Sequence, residues 1–151
     1  MRVAAAFDHR GVRLRAPVLE AIGAARCSAV DLGTDAESPR IDYPDKALEL
    51  GMAIRRGAAD RGVLVCGSGV GACVAASKIP GIRAAICHDT YSAHQGVEHD
   101  DMNVLCLGSE VVGASLAVEL VRAFLAARFV GEGRYLERLE KVEALEKMAN
   151  G

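Results

Sequence analysis

At 151 residues, with 51% hydrophobic and 25% charged side chains, the chain is expected to form one domain over residues 1–151 with a full hydrophobic core. A net charge of −2 and an aromatic content of 4% without tryptophan supply neither a basic face nor stacking rings, so nucleic acid is excluded as an expected partner. Five cysteines without a framework, an acidic residue as early as Asp8 and no apolar run near the ~20 residues of a membrane span point to a reducing, cytoplasmic setting with no membrane partner.

Short apolar runs alternate with helical patterns along the chain. Val3–Phe7 reads as a strand and Val12–Ala25 as a helix with Pro17 in its early turns. Ala29–Leu32 is a second strand, followed by a polar loop over Asp35–Tyr43 with Ser38-Pro39 as its turn signal. Pro44 is placed to start a helix running to about Arg56. Val63–Cys66 is a third strand and Ala72–Lys78 a third helix, closed by Pro80 and Gly81. Arg83–Cys87 is a fourth strand, and Thr90–Glu98 a short helix with Thr90 as its N-cap. Val104–Leu107 is a fifth strand and Ser115–Arg128 an apolar helix. Uniformly apolar strands separated by helices argue a parallel sheet covered on both faces, hence an α/β fold.

From Arg134 onward Leu136, Leu139, Val142, Leu145 and Met148 recur every three residues on an otherwise charged helix. This stripe can lie across its own domain or pack on a second subunit. Arg134 and Arg138, one turn apart, share a face that could grip one phosphate or carboxylate.

The most informative segment is Gly62-Val-Leu-Val-Cys66-Gly-Ser68-Gly-Val-Gly71, a strand entering a loop with glycine at 67, 69 and 71. Such a junction aims backbone N–H groups at one spot, which suits an anion, and a helix N-terminus favours a thiolate at its lip. Known anion motifs do not fit. Alanine stands at 72 where a Cys-x5-Arg loop needs arginine, no Gly-Lys-Ser/Thr follows, and the glycine spacing misses the dinucleotide fingerprint. No Cys-x-x-Cys pair suggests a metal.

In a parallel sheet the site lies at the carboxyl ends of the strands, which collects Asp8-His9, Cys66-Gly-Ser68 and His88-Asp89. His88 and His94 are discounted as surface or satisfied residues. His99 precedes the fifth strand, at the opposite pole, and can act only through a neighbouring subunit unless it is structural.

Several motifs then occur together: Asp8-His9, Asp42-Tyr43-Pro44, Cys66-Gly-Ser-Gly-Val-Gly71, Ala76-Ser-Lys78 with Gly81-Ile-Arg83, His99 with Asn103, and Gly131-Glu-Gly-Arg134 with Arg138. In this order they resemble the type B ribose-5-phosphate isomerases, whose wider family includes galactose-6-phosphate and allose-6-phosphate isomerases. The resemblance spans nearly the whole chain. It implies a Rossmann-like three-layer sandwich with a five-stranded parallel sheet, helices on both faces and a C-terminal helix. It also implies a homodimer, or a tetramer of paired dimers, with sites across the interface and neither metal nor organic cofactor. The reaction implied is interconversion of ribose 5-phosphate and ribulose 5-phosphate through an enediolate.

By that resemblance Cys66 is the general base, Ser68 shuttles a proton between O1 and O2, and His99 opens the sugar ring. The Gly67, Gly69 and Gly71 loop holds the enediolate, Asp8 and Tyr43 contact the sugar, and His9, Arg134 and Arg138 take the phosphate. Some relatives place a glutamate base where Ala72 stands, so this chain resembles the cysteine-base type. Two positions depart from the pattern. Asp100 follows His99 where relatives often have asparagine, and Glu110 stands where they carry arginine, with Arg40 or Arg10 as its expected partner. These departures leave open another phosphorylated aldose of four or six carbons as substrate. A non-catalytic sugar-phosphate or nucleotide-binding module is the alternative from another class.

Overall fold

The computed structural model describes residues 1–149 and 151. Its strands are β1 (Arg2–Phe7), β2 (Ser28–Asp31), β3 (Arg61–Cys66), β4 (Ala84–Ile86) and β5 (Val104–Gly108). Its helices are α1 (Arg15–Ala24), α2 (Tyr43–Arg55), α3 (Val70–Ala76), α4 (Thr90–Asp100), α5 (Ala114–Ala126) and α6 (Gly133–Ala149), with a 3₁₀ turn at Gly11–Leu14 leading into α1.

The strands pair in the order β2-β1-β3-β5-β4, every pair parallel. Side chains alternate across each strand, so β1, β3 and β5 feed two cores. Val3, Ala5, Phe7, Val63, Val65, Leu105 and Leu107 face α1, α4 and α5, meeting Val18, Ile22, Val97, Leu120 and Phe124. On the other face, Ala4, Ala6, Leu64, Cys66, Val104 and Cys106 meet Ala47, Leu50, Ala53, Ala72 and Ala76 of α2 and α3. Alanine dominates this second face, which lets α2 and α3 lie close to the sheet.

The expected α/β architecture and the expected elements are present, with shifted ends. α3 begins two residues earlier than its apolar pattern suggests and has only seven residues. Its N-cap Gly69 takes φ +81°, a left-handed conformation that glycine supplies without steric cost. The N-cap of α4 is Asp89 and not Thr90: its carboxylate accepts from Ser92 N at 2.7 Å, which a hydroxyl inside the first turn cannot do.

Gly11 marks the tightest approach in the fold. A Cβ there would stand 2.0 Å from the Val65 carbonyl oxygen, a rigid backbone atom within the sheet. Gly11→Ala is therefore expected to destabilise the protein by at least the ~1–3 kcal/mol typical of overpacking, read from the urea midpoint. An unchanged midpoint would show that the 3₁₀ turn can move off β3.

α6 is amphipathic but only partly covered. Leu139 is buried, while Val142, Leu145 and Met148 are 50%, 65% and 76% exposed. Of the two readings of this stripe, burial across its own domain fails beyond Leu139. Glu146 Oε1 accepts from Gly81 N at 2.7 Å, and between α6 and the α3–β4 segment lies a groove of about 690 Å³ that Asp100 helps to line.

Candidate active site

The chain leaves β1 toward one side of the sheet and β3 toward the other, so the loops after these two adjacent strands diverge and open a crevice. A pocket of about 210 Å³ lies there, lined by Asp8, His9, Arg10, Arg40, Asp42, Tyr43, Cys66, Gly67, Ser68 and Gly71.

Cys66, the last residue of β3, is buried, and its Sγ accepts the Gly69 N–H at 3.1 Å. Ser68 Oγ accepts the Val70 N–H at 3.2 Å, which leaves the hydroxyl proton available to a ligand. The loop is clamped by the β5–α5 connection, where Ser109 N and Glu110 N donate to the Cys66 and Gly67 carbonyls at 2.9 Å. Among the described residues, the Gly67 and Ser68 N–H groups have no acceptor. Two further glycines are required by space. A Cβ on Gly108 would meet the Ser68 carbonyl at 2.5 Å, and one on Gly71 would enter the Tyr43 ring at 2.6 Å.

On the opposite wall, buried Asp8 accepts from Arg10 N at 2.9 Å and Gly11 N at 2.7 Å through one oxygen, capping the 3₁₀ turn. His9 Nδ1 lies 2.9 Å from the Ile41 carbonyl and must donate to it, so Nε2 is left for a ligand.

Thus Asp8, His9, Tyr43, Cys66, Gly67, Ser68 and Gly71 meet in one pocket, with Gly69 holding the sulfur from below. His99, Asp100, Arg134 and Arg138 do not reach it within the chain. His99 sits in the last turn of α4, its Nδ1 2.7 Å from Gln95 Nε2, and its ring packs against Tyr135 at 4.7 Å. With the amide donating, the ring proton belongs on Nε2. The Arg138 guanidinium lies over the other partner of that pair, 5.1 Å from the Tyr135 centroid, and Arg134 is exposed one turn earlier. These groups form a second cluster where α4 ends and α6 begins.

Arg10, Arg40 and Asp42 also line the pocket, although the first two were expected only as partners of Glu110 and the third only as part of the Asp42-Tyr43-Pro44 motif. Only position hinted at their place in the pocket: Arg10 directly follows Asp8-His9, and the other two lie in the polar loop before α2. Glu110 pairs mainly with Arg13, Oε1 to Nη1 at 2.8 Å, with Arg10 at 3.9 Å, and Arg40 is not its partner. The carboxylate therefore points at the loop after β1, whose two arginines converge on it.

His88 is half-buried, and its Nε2 accepts the Gly108 N–H at 3.1 Å, a satisfied structural contact beside the Ser68 loop. Burial pushes its pKa below the ordinary 6.5, with Asp89 opposing. The folded state thus takes up this proton less readily than the unfolded chain, so stability is retained above 6.5 and lost as pH falls below it. The urea midpoint is expected to drop between about pH 7.5 and about pH 5.5, and to drop less in His88→Gln, whose side-chain oxygen can accept without titrating. An equal drop in both proteins would assign the pH dependence to other groups.

An open parallel sheet with a thiol and a glycine-rich loop at the fork between β1 and β3 defines the class, a Rossmann-like α/β enzyme. A family model described as Ribose/Galactose Isomerase matches residues 3–142. Ribose-5-phosphate isomerase B of Escherichia coli is 40% identical over 149 residues, 99% of each chain. D-erythrulose-4-phosphate isomerase of Pectobacterium atrosepticum is 36% identical over 142 residues, 94% of this chain and 93% of that one. The solved structure of ribose-5-phosphate isomerase B from Clostridium thermocellum superposes with a TM-score of 0.93 at 38% identity, covering 99% of each chain. The chain belongs to the ribose/galactose isomerase family and is a sugar-phosphate isomerase.

Proposed function

We propose that the protein interconverts ribose 5-phosphate and ribulose 5-phosphate, with Cys66 as the general base. The observation that carries this reading is the Cys66 sulfur held by the Gly69 N–H beside the unpaired N–H groups of Gly67 and Ser68. With the sugar ring open, the Cys66 thiolate removes the C2 proton. The resulting enediolate oxygen is held by the loop N–H groups. Ser68 moves a proton between O1 and O2, and the Cys66 thiol returns its proton to C1. C2 is oxidised as C1 is reduced, so the sequence needs no external electron acceptor.

Ring opening and phosphate binding fall to His99, Arg134 and Arg138 in this reading, and a homodimer is needed to bring a partner's copy of that cluster to the Cys66 pocket. The uncovered stripe on α6 supports such an interface. Among the described residues no helix is long and apolar enough to cross a membrane, which agrees with an enzyme acting on small dissolved substrates.

The test is incubation with ribose 5-phosphate in deuterated water, following ribulose 5-phosphate and exchange at the carbon undergoing proton transfer. Product with solvent-derived deuterium is expected, and absence of both overturns the reading. A second reading takes a four-carbon sugar phosphate as substrate. It is favoured by Arg10, which occupies part of the pocket, and by the D-erythrulose-4-phosphate isomerase among the relatives. The ratio of kcat/KM for the two substrates decides between them.

A further inference from the structure

Glu110 places an acid in the loop that faces the pocket, where an anionic substrate would favour a base, and the structure shows what that acid does. Its own N–H is bonded to the Gly67 carbonyl, which fixes residue 110 to the Cys66 loop. Its Oε1 draws in Arg13 at 2.8 Å and Arg10 at 3.9 Å. Two guanidiniums therefore share this carboxylate. Glu37, 3.6 Å from Arg13 Nε, balances Arg13. Two acids thus face two cations, and the looser pair is Arg10–Glu110, whose 3.9 Å separation is beyond hydrogen-bond reach.

Arg10 is also the better placed of the two. Its backbone is anchored at both ends, the N–H to Asp8 and the carbonyl accepting from Ser109 Oγ at 2.8 Å. Its guanidinium lies against Gly67: Nη1, Cζ and Nε are 3.0–3.1 Å from where a Cβ on that residue would stand. Any side chain at 67 would push the fork aside. Among the described residues no acceptor takes a hydrogen bond from this guanidinium, although it lines the pocket with Cys66 and His9. A planar fork held against a glycine, its hydrogen bonds unspent and only loosely paired with Glu110, beside a loop with free N–H groups, has the geometry of an oxyanion receptor.

We propose that Arg10 binds the substrate's phosphate monoester from within the subunit, and that Glu110 is a positioning residue that aims it. The proposal rests on the sugar-phosphate reading above for the identity of the ligand. Arg10 contacts the substrate, whereas Glu110 acts through Arg10.

The experiment titrates inorganic phosphate calorimetrically into wild type, Arg10→Met, Arg10→Lys and Glu110→Gln, and measures steady-state isomerisation of ribose 5-phosphate and erythrulose 4-phosphate alongside. For Arg10→Met, phosphate affinity is expected to fall about tenfold and KM to rise by a similar factor, with kcat within about twofold, because one charge-assisted contact is removed. Arg10→Lys is expected to recover part of the loss, since it keeps the charge but not the fork. Glu110→Gln is expected to raise KM about two- to threefold with thermal stability unchanged, an effect a merely structural ion pair would not produce. Unchanged phosphate affinity and KM in Arg10→Met overturn the proposal. Should that variant not fold, a phosphate affinity for Arg10→Lys equal to wild type overturns it instead. If wild type binds phosphate but turns over neither sugar phosphate, the functional reading fails while the phosphate titrations still decide the role of Arg10.

Discussion

Cys66→Ala is expected to lower kcat by about 10²–10⁴-fold, the contribution of a positioned general base, while the protein stays folded and still binds sugar phosphate. The expectation follows from the end of β3. Cys66 is buried yet lines the pocket, and its sulfur takes the Gly69 N–H. Loss of the thiol removes only the proton acceptor, because the Gly67 and Ser68 N–H groups belong to the backbone. KM should therefore change far less than kcat. Near-normal turnover by folded Cys66→Ala, with native circular dichroism, would take the cysteine out of the mechanism. Thiol alkylation is a less selective probe here. The half-buried Cys73 is brought down to about 6 chiefly by its hydrogen bond with Cys106, so it is expected to react near neutral pH. Burial holds Cys87 up at about 11, and its contact with Cys73 keeps Cys106 well above the usual thiol range. Substrate protection of Cys66 is accordingly best read in a Cys73→Ser background.

Mixing Cys66→Ala subunits with subunits carrying both Arg134→Met and Arg138→Met is expected to restore about a quarter of wild-type activity from two nearly inactive proteins. Random reassociation makes about half the dimers mixed, and each mixed dimer has one intact site of two when sites combine both chains. The reason lies in the separation of two clusters. The pocket at the β1–β3 fork holds the base and the anion loop, while His99, Tyr135 and Arg138 lie together where α4 meets α6. One chain thus carries two halves that do not touch, and the largely exposed stripe from Val142 to Met148 offers the surface through which they could be joined. A mixture no more active than its parents, under conditions where subunit exchange is demonstrated with labelled protein, would place the whole site within one chain.

Much of this was legible in the residues. Apolar runs of strand length at Val3–Phe7, Val63–Cys66 and Val104–Leu107 required a buried parallel sheet, and their alternation with helices set the fold class, because burial pattern is a local property of the chain. The glycines at 67, 69 and 71 marked a tight loop after Cys66 for the same reason. The ends of short elements were less legible: α3 starts at Val70 because Gly69 can take a left-handed φ, a choice that leaves no trace in hydrophobic period. Only the tertiary structure decided which distant side chains meet. Arg13 and Glu110, 97 positions apart, find each other because the β1 and β5 loops converge beside β3. Arg10 enters the pocket from the β1 loop and Arg40 and Asp42 from the loop before α2, and the bare outer face of α6 emerges only once its own domain has covered Leu139 and nothing beyond. Local periodicity is set by hydrogen bonds a few residues apart. The meeting of loops depends on strand order, which a single chain's pattern of apolar and polar residues does not specify.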